Sequence, residues 1–197
     1  MTMPLLDAGQ SLLLVIDAQP GFYTTQEGFD SVLFDATLAR ISWVAGVAAS
    51  LNVPAVVTEE DAARNGPTAP SVVDRLPDAT PVFAKVAFAV PDNPEILDAV
   101  SGSGRTTAVL VGLETDVCVA HSALRLRDMG WRVVAVDDAV YSPARAHHNG
   151  LRRMAASGVE LLSAKELFYD WLRSFPRSRE FHRDHPALTP PPPGIVL

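Results

Sequence analysis

This chain has little from which to build a disulfide, a nucleic-acid grip or a metal cage. It holds a single cysteine, Cys118, in 197 residues, so no intrachain disulfide can form. Two lysines and fourteen arginines stand against 23 acidic residues, for a net charge of −7. No run of basic residues offers the electrostatic footing that nucleic acid needs. The start of the chain has no basic stretch, and its first apolar run, Leu12 to Ile16, is too short for a signal sequence or a membrane span. "DAQPGF", residues 17–22, follows that run, with no G-x-G-x-x-G to bring backbone against a pyrophosphate. These absences lead to the expectation of a cytoplasmic protein with no nucleic-acid or membrane partner.

What is present is a series of short apolar runs. "SLLLVID" is apolar at nearly every position, as in a parallel strand covered on both faces, and "PAVVT", "PVFAK", "TTAVLVG", "WRVVAV" and "GVELLS" repeat the pattern. Helical spacing falls between them at 31–51, 94–100, 118–129, 144–157 and 164–172, while 59–80, with "RNGPTAP", reads as a loop. Strands alternating with helices predict one doubly wound, Rossmann-like α/β domain, a six-stranded parallel sheet with helices on both faces. That domain is expected over residues 1–174. A proline-rich extension over 175–197 contains "TPPPPG", which reads as extended polyproline, either disordered or laid across a neighbouring subunit.

In such sheets ligands bind beyond the carboxyl ends of the strands. Three residues there could carry chemistry. Cys118 is placed to begin a helix, whose N-terminus stabilises a thiolate and lowers the thiol pKa; a small buried cysteine filling core space fits the position equally well. Asp17 ends the first strand, as a partnered carboxylate or as a cap on the next turn. Lys85 lies within "VFAKVAFAV", either snorkelling to the surface or paired with a buried carboxylate, for which Asp17 is the nearest candidate. Together they would supply a proton acceptor, a nucleophile and a cation that holds the acceptor ionised.

"LLLVIDAQPGF", "FAKVAF" and "VLVGLETDVCV" occur in an order and at positions that resemble the isochorismatase-like cysteine hydrolases, a superfamily that includes nicotinamidases and N-carbamoylsarcosine amidohydrolases. The resemblance extends through "VDDAVYS" and "LRRMAASGVELLS", covering roughly residues 10–172. It implies an Asp–Lys–Cys triad of Asp17, Lys85 and Cys118. It also implies a cis peptide at Leu113–Glu114, with the amides of Glu114 and Cys118 as an oxyanion hole. The activity implied is hydrolysis of a small-molecule substrate, a small amide or related acyl compound, through a thioester and with no cofactor, and the alternative is a silent binding or scaffolding member of the same fold.

The nicotinamidases carry a metal site of aspartate and histidines after the second strand. Here "VVTEEDAARNGPTAP" has no histidine, so no transition metal is expected, although Glu60 and Asp61 could hold a hard cation if they were not simply solvated. Gln19, Phe22, Phe88 and Thr115 flank the motifs and are candidates for lining a substrate pocket. His121, one turn beyond Cys118, reads as a packing residue, and His147 and His148 as structural or interfacial. The apolar residues of the 175–197 tail, together with the resemblance, suggest a homo-oligomer, a dimer or larger.

Overall fold

The computed structural model describes residues 4–23 and 28–197. Met1 to Met3, part of the stretch read above for a leader, and residues 24–27 lie outside the described residues. Six strands form one sheet: β1 (Ser11–Ile16), β2 (Ala55–Glu60), β3 (Val82–Lys85), β4 (Thr107–Leu113), β5 (Arg132–Tyr141) and β6 (Glu160–Leu162). Every pairing is parallel and the order is β3-β2-β1-β4-β5-β6. β1 and β4, at the centre, are buried at every position, which is why their sequences are apolar throughout.

Among the described residues eight helices flank the sheet: α1 (Ser31–Ser50), α2 (Ala62–Asn65), α3 (Pro70–Val73), α4 (Pro94–Gly102), α5 (Ala120–Asp128), α6 (Arg145–Ala156), α7 (Ala164–Leu172) and α8 (Phe175–Asp184). Alternating strand residues face two cores. Leu13, Val15, Val57, Val109 and Val134 pack against α1, α3, α7 and α8. Leu12, Leu14, Ile16, Leu110 and Ala135 pack against α4, α5 and α6. α1 is long and apolar enough to cross a membrane by length and composition, but 56% of its most apolar window is buried inside the domain, as befits a core helix. Local signals fix the helix starts. The Asp30 carboxylate accepts from the Leu33 amide at 3.0 Å, and Ser163 with Glu166 closes a capping box at α7.

Two expectations fail. Residues 59–80 are not one loop: β2 runs on to Glu60, and α2 and α3 follow as single turns. The 175–197 tail, expected to be either disordered or laid across a neighbouring subunit, instead begins as a helix and packs on its own chain. Ser174 accepts from the Arg177 amide, Pro176 stands in the first turn where a missing N–H is harmless, and α8 forms. Phe181, Leu188 and Ile195 then bury themselves in the chain's own core beside Trp43 and Phe168. The Trp43 indole donates to the Leu188 carbonyl at 3.0 Å. An irregular apolar segment finds its cover on α1 and α7.

Candidate active site

The strand order reverses between β1 and β4, and the carboxyl ends of these two strands frame the site. Asp17 follows β1 directly, with a left-handed backbone at φ 48°, and its amide donates to the Thr58 carbonyl of β2. Lys85 ends β3 and pairs in register with Glu60, the last residue of β2. β4 ends at a cis Leu113–Glu114 peptide, and the chain enters a π-helical turn, Thr115–Val119, that runs on into α5. Cys118 lies inside that turn, so the helical path begins earlier than the sequence suggested.

The three candidates meet. Lys85 Nζ lies 3.0 Å from Asp17 Oδ2, with both side chains fully buried. Lys85 Nζ also donates to Cys118 Sγ at 3.4 Å. The Thr58 hydroxyl donates to Asp17 Oδ1 at 2.7 Å. A fourth group joins them, which the sequence reading had left as a solvated acid or a ligand for a hard cation. Glu60 Oε2 accepts from the Cys118 thiol at 3.2 Å and lies 3.3 Å from Lys85 Nζ. Asp17, Glu60 and Cys118 hold their donor atoms within 4.8 Å of one another, a spacing that would suit a cation. The Lys85 ammonium already sits within hydrogen-bond reach of all three, so the site holds its own positive charge.

Electrostatics correct one expectation. The Cys118 thiol was expected to be acidified by the helix; instead burial, the Asp17 carboxylate and the hydrogen bond to Glu60 push its pKa up, against the opposing pull of Lys85. Burial also raises Asp17, while Lys85 and the Thr58 hydroxyl oppose the shift. Burial would lower Lys85, but Asp17 and Cys118 outweigh it and keep the ammonium charged. The resting site is therefore a thiol beside an ion pair and a second carboxylate.

The remaining candidates divide. Gln19 is fully buried and its amide is spent on backbone: it accepts from the Glu60 amide at 2.8 Å and donates to the carbonyls of Glu60 and Gly66. It clamps the end of β2 and so aims Glu60, and no amide atom is left over for a substrate. The Thr115 hydroxyl bonds His147 Nδ1 at 2.9 Å, which ties α6 to the turn and gives His147 a local role. Burial and His148 hold His147 below the usual imidazole pKa. Phe22 packs edge-on against Tyr23, whose hydroxyl donates to Glu114 Oε1 at 2.9 Å. Phe88 is 52% exposed and stands edge-on to His121. Gly150 of α6 lets that helix lie against the Thr115–Asp116 backbone, where a Cβ would come within 2.7 Å. Neither the Glu60 contact nor the Gly150 contact was named from sequence, although strand periodicity held a signal for the first.

Similar proteins bear on this geometry. The isochorismatase domain family model matches residues 11–166. The chain is 28% identical over 180 residues to the probable hydrolase YcaC of Escherichia coli K12, covering 87% of this chain and 85% of that protein. The structure of that YcaC, described as an octameric hydrolase of unknown specificity, superposes with a TM-score of 0.77 at 24% identity, over 95% of this chain and all of that one. YcaC from Pseudomonas aeruginosa, determined with hexane-2,5-diol and covalent acrylamide, superposes with a TM-score of 0.82 at 24% identity, over 95% of each chain. The two structures share the fold.

Proposed function

The chain belongs to the isochorismatase family, with the hydrolase fold of that family, and we propose that it is a cysteine hydrolase that cleaves a small amide or related acyl compound through a thioester. The observation that carries this reading is the buried contact of Lys85 with both Asp17 and Cys118. A charged lysine in a dry site, held between a carboxylate and a thiol, costs desolvation that packing does not require. Isochorismatases proper cleave a vinyl ether and need no thiol, so Cys118 argues for acyl transfer.

In the proposed cycle Asp17 takes the thiol proton as Cys118 Sγ attacks the carbonyl carbon. Because the thiol is not acidified in the resting site, proton transfer and attack are coupled, which is general-base catalysis. The amides of Glu114 and Cys118 receive the oxyanion, a contribution of about 3 kcal/mol per donor in acyl transfer. Collapse breaks the carbon–nitrogen bond, and the leaving amine takes the proton from Asp17. Water then attacks the thioester with Asp17 as base, and the proton returns to sulfur. Lys85 holds Asp17 in place and offsets the charge on the sulfur. Because Lys85 fills the space among the three donors, the cycle is written without a metal or cofactor.

A second reading is a member that binds without turnover. It is favoured by the closure of the site: Cys118 is 1% exposed, while a groove of about 450 Å³ lies away from it, lined by Trp43, Arg75 and Leu188. The YcaC octamer supports a homo-oligomer here too, and the acidic, single-cysteine composition supports a cytoplasmic protein with a small-molecule substrate and neither a nucleic-acid nor a membrane partner. A panel of small amides, ureides and esters, followed by ammonia or amine release against Cys118→Ala, tests the enzyme. Turnover that survives in Cys118→Ala, or none with any compound, would remove it.

A further inference from the structure

Of the four clustered side chains, the one that reaches solvent is a carboxylate. Asp17 and Lys85 have fully buried side chains and Cys118 is 1% exposed, whereas the Glu60 side chain is 28% exposed. That partly exposed carboxylate stands directly against the sulfur, with Glu60 Oε2 3.2 Å from Sγ. Gln19 fixes the backbone of Glu60 on both sides, through its amide and its carbonyl, so the carboxylate is held by the fold. Asn65 Nδ2 adds a further bond to the same carbonyl at 2.8 Å.

The charge count points the same way. The cluster sets one ammonium, Lys85, against two carboxylates, Asp17 and Glu60. Glu114 and Asp116 follow on the turn, and Glu114 is pushed up by burial and by its acidic neighbours Asp116, Glu60 and Asp17, against the Tyr23 hydrogen bond. No second cation answers the excess among the contacts of the described residues in this cluster.

We infer that Glu60 is the specificity-determining residue of the site: it admits neutral or cationic acyl compounds that carry N–H donors beside the scissile carbonyl and turns away those that carry a carboxylate there. This rests on the hydrolase reading for its substrates, but the selectivity itself is a property of access to Cys118. Any group on the attacked carbonyl lies within a few ångströms of Glu60 Oε2. For like charges about 5–6 Å apart at a protein surface, Coulomb repulsion amounts to roughly 10- to 100-fold in equilibrium. Amino and amide N–H groups find an acceptor at the same place.

Because Cys118 is the sole cysteine, alkylation counted by intact mass and corrected for the adducts formed on Cys118→Ala reports on this site alone. Iodoacetamide, iodoacetate and 2-bromoethylamine are compared at pH 8.5 on the full-length protein, with N-acetylcysteine amide as reference thiol. The expected iodoacetamide-to-iodoacetate rate ratio exceeds that of the reference at least fivefold, and 2-bromoethylamine is favoured over iodoacetate by more. Glu60→Gln should bring the first ratio to within about twofold of the reference. Any change it makes in thiol acidity acts on both reagents and cancels in the ratio. Raising NaCl from about 0.02 to 0.5 M should shrink the wild-type ratio at least twofold, a readout that needs no variant. A wild-type ratio equal to the reference, or one that neither salt nor Glu60→Gln moves, overturns the inference. The measurement needs no turnover. An absent hydrolase activity with an intact ratio therefore removes only the reaction, and turnover with a flat ratio removes only the selectivity.

Discussion

Replacing Lys85 with methionine keeps most of the side-chain volume and removes the one cation that, among the described residues, contacts Asp17, Glu60 and Cys118. Asp17 is then a fully buried carboxylate whose remaining neighbours are neutral donors, the Thr58 hydroxyl and the Cys118 thiol. Breaking a buried pair from one side costs about 3–5 kcal/mol, because a charge remains without its partner. For a chain of this size that is a fall in Tm of about 6–20 °C at neutral pH. The pH dependence carries the sharper test. Asp17 is already raised from 3.8 by burial, with Lys85 the main opposing influence, and the variant loses that opposition. A carboxyl whose folded pKa lies above its unfolded value binds more protons when folded. Its favourable contribution is therefore full below the unfolded pKa and is lost as pH rises through the folded one. Lys85→Met should thus be closest to wild type near pH 4 and fall away toward pH 8. The double variant Asp17→Asn, Lys85→Met should regain at least half of the loss, since no unpaired charge remains. Urea denaturation at several pH values measures all three proteins. A Lys85→Met protein within about 1 kcal/mol of wild type at pH 8, with no steeper slope, would refute the account of a buried, functional ion pair.

The raised Cys118 thiol predicts that alkylation by iodoacetamide climbs with pH along a curve displaced to higher pH than that of a free cysteine; a curve displaced downward would mean a preformed thiolate. Gly150→Ala would push α6 off the Thr115–Asp116 backbone and should lower turnover more than tenfold while costing about 1–3 kcal/mol in stability, read by kinetics and calorimetry side by side. Truncation after residue 174 removes the buried Phe181, Leu188 and Ile195 and should destabilise the chain by about 4–9 kcal/mol, at 1.5–3 kcal/mol for each side chain; a truncated protein of wild-type Tm would show that the tail's packing is idle. Light scattering at micromolar concentration should give a mass at least twice the 21.1 kDa of one chain, and a monomer mass would end the oligomer proposal.

The sheet could be read from the sequence because its code is local. A strand buried on both faces has to be apolar at successive positions, and β1 and β4 are. Asp17, Lys85 and Cys118 stood out by the same rule, as polar residues at the ends of apolar runs. The tail resisted such reading. Its apolar residues follow no single period, and only the packing on α7 and on α1, more than a hundred residues earlier, shows where Phe181, Leu188 and Ile195 go.

Glu60 is the instructive case, because part of its signal was available. Thr58 and Glu60 are two residues apart on β2, so their side chains share a face, while Glu59 between them points away. The structure follows that parity: Thr58 bonds Asp17, Glu60 bonds Cys118 and Lys85, and Glu59 turns to the Thr68 amide at 2.7 Å. Parity alone could not settle the matter, because it holds only as far as the strand persists. In "TEEDAARNG" three acids follow Thr58, with no apolar residue among them to show that β2 continues. The continuation is held by β3, which pairs Glu60 with Lys85, and by Gln19, forty-one residues away, whose side-chain amide takes up the Glu60 backbone. Long-range contacts thus decide whether an acid belongs to a solvated loop or to the nucleophile.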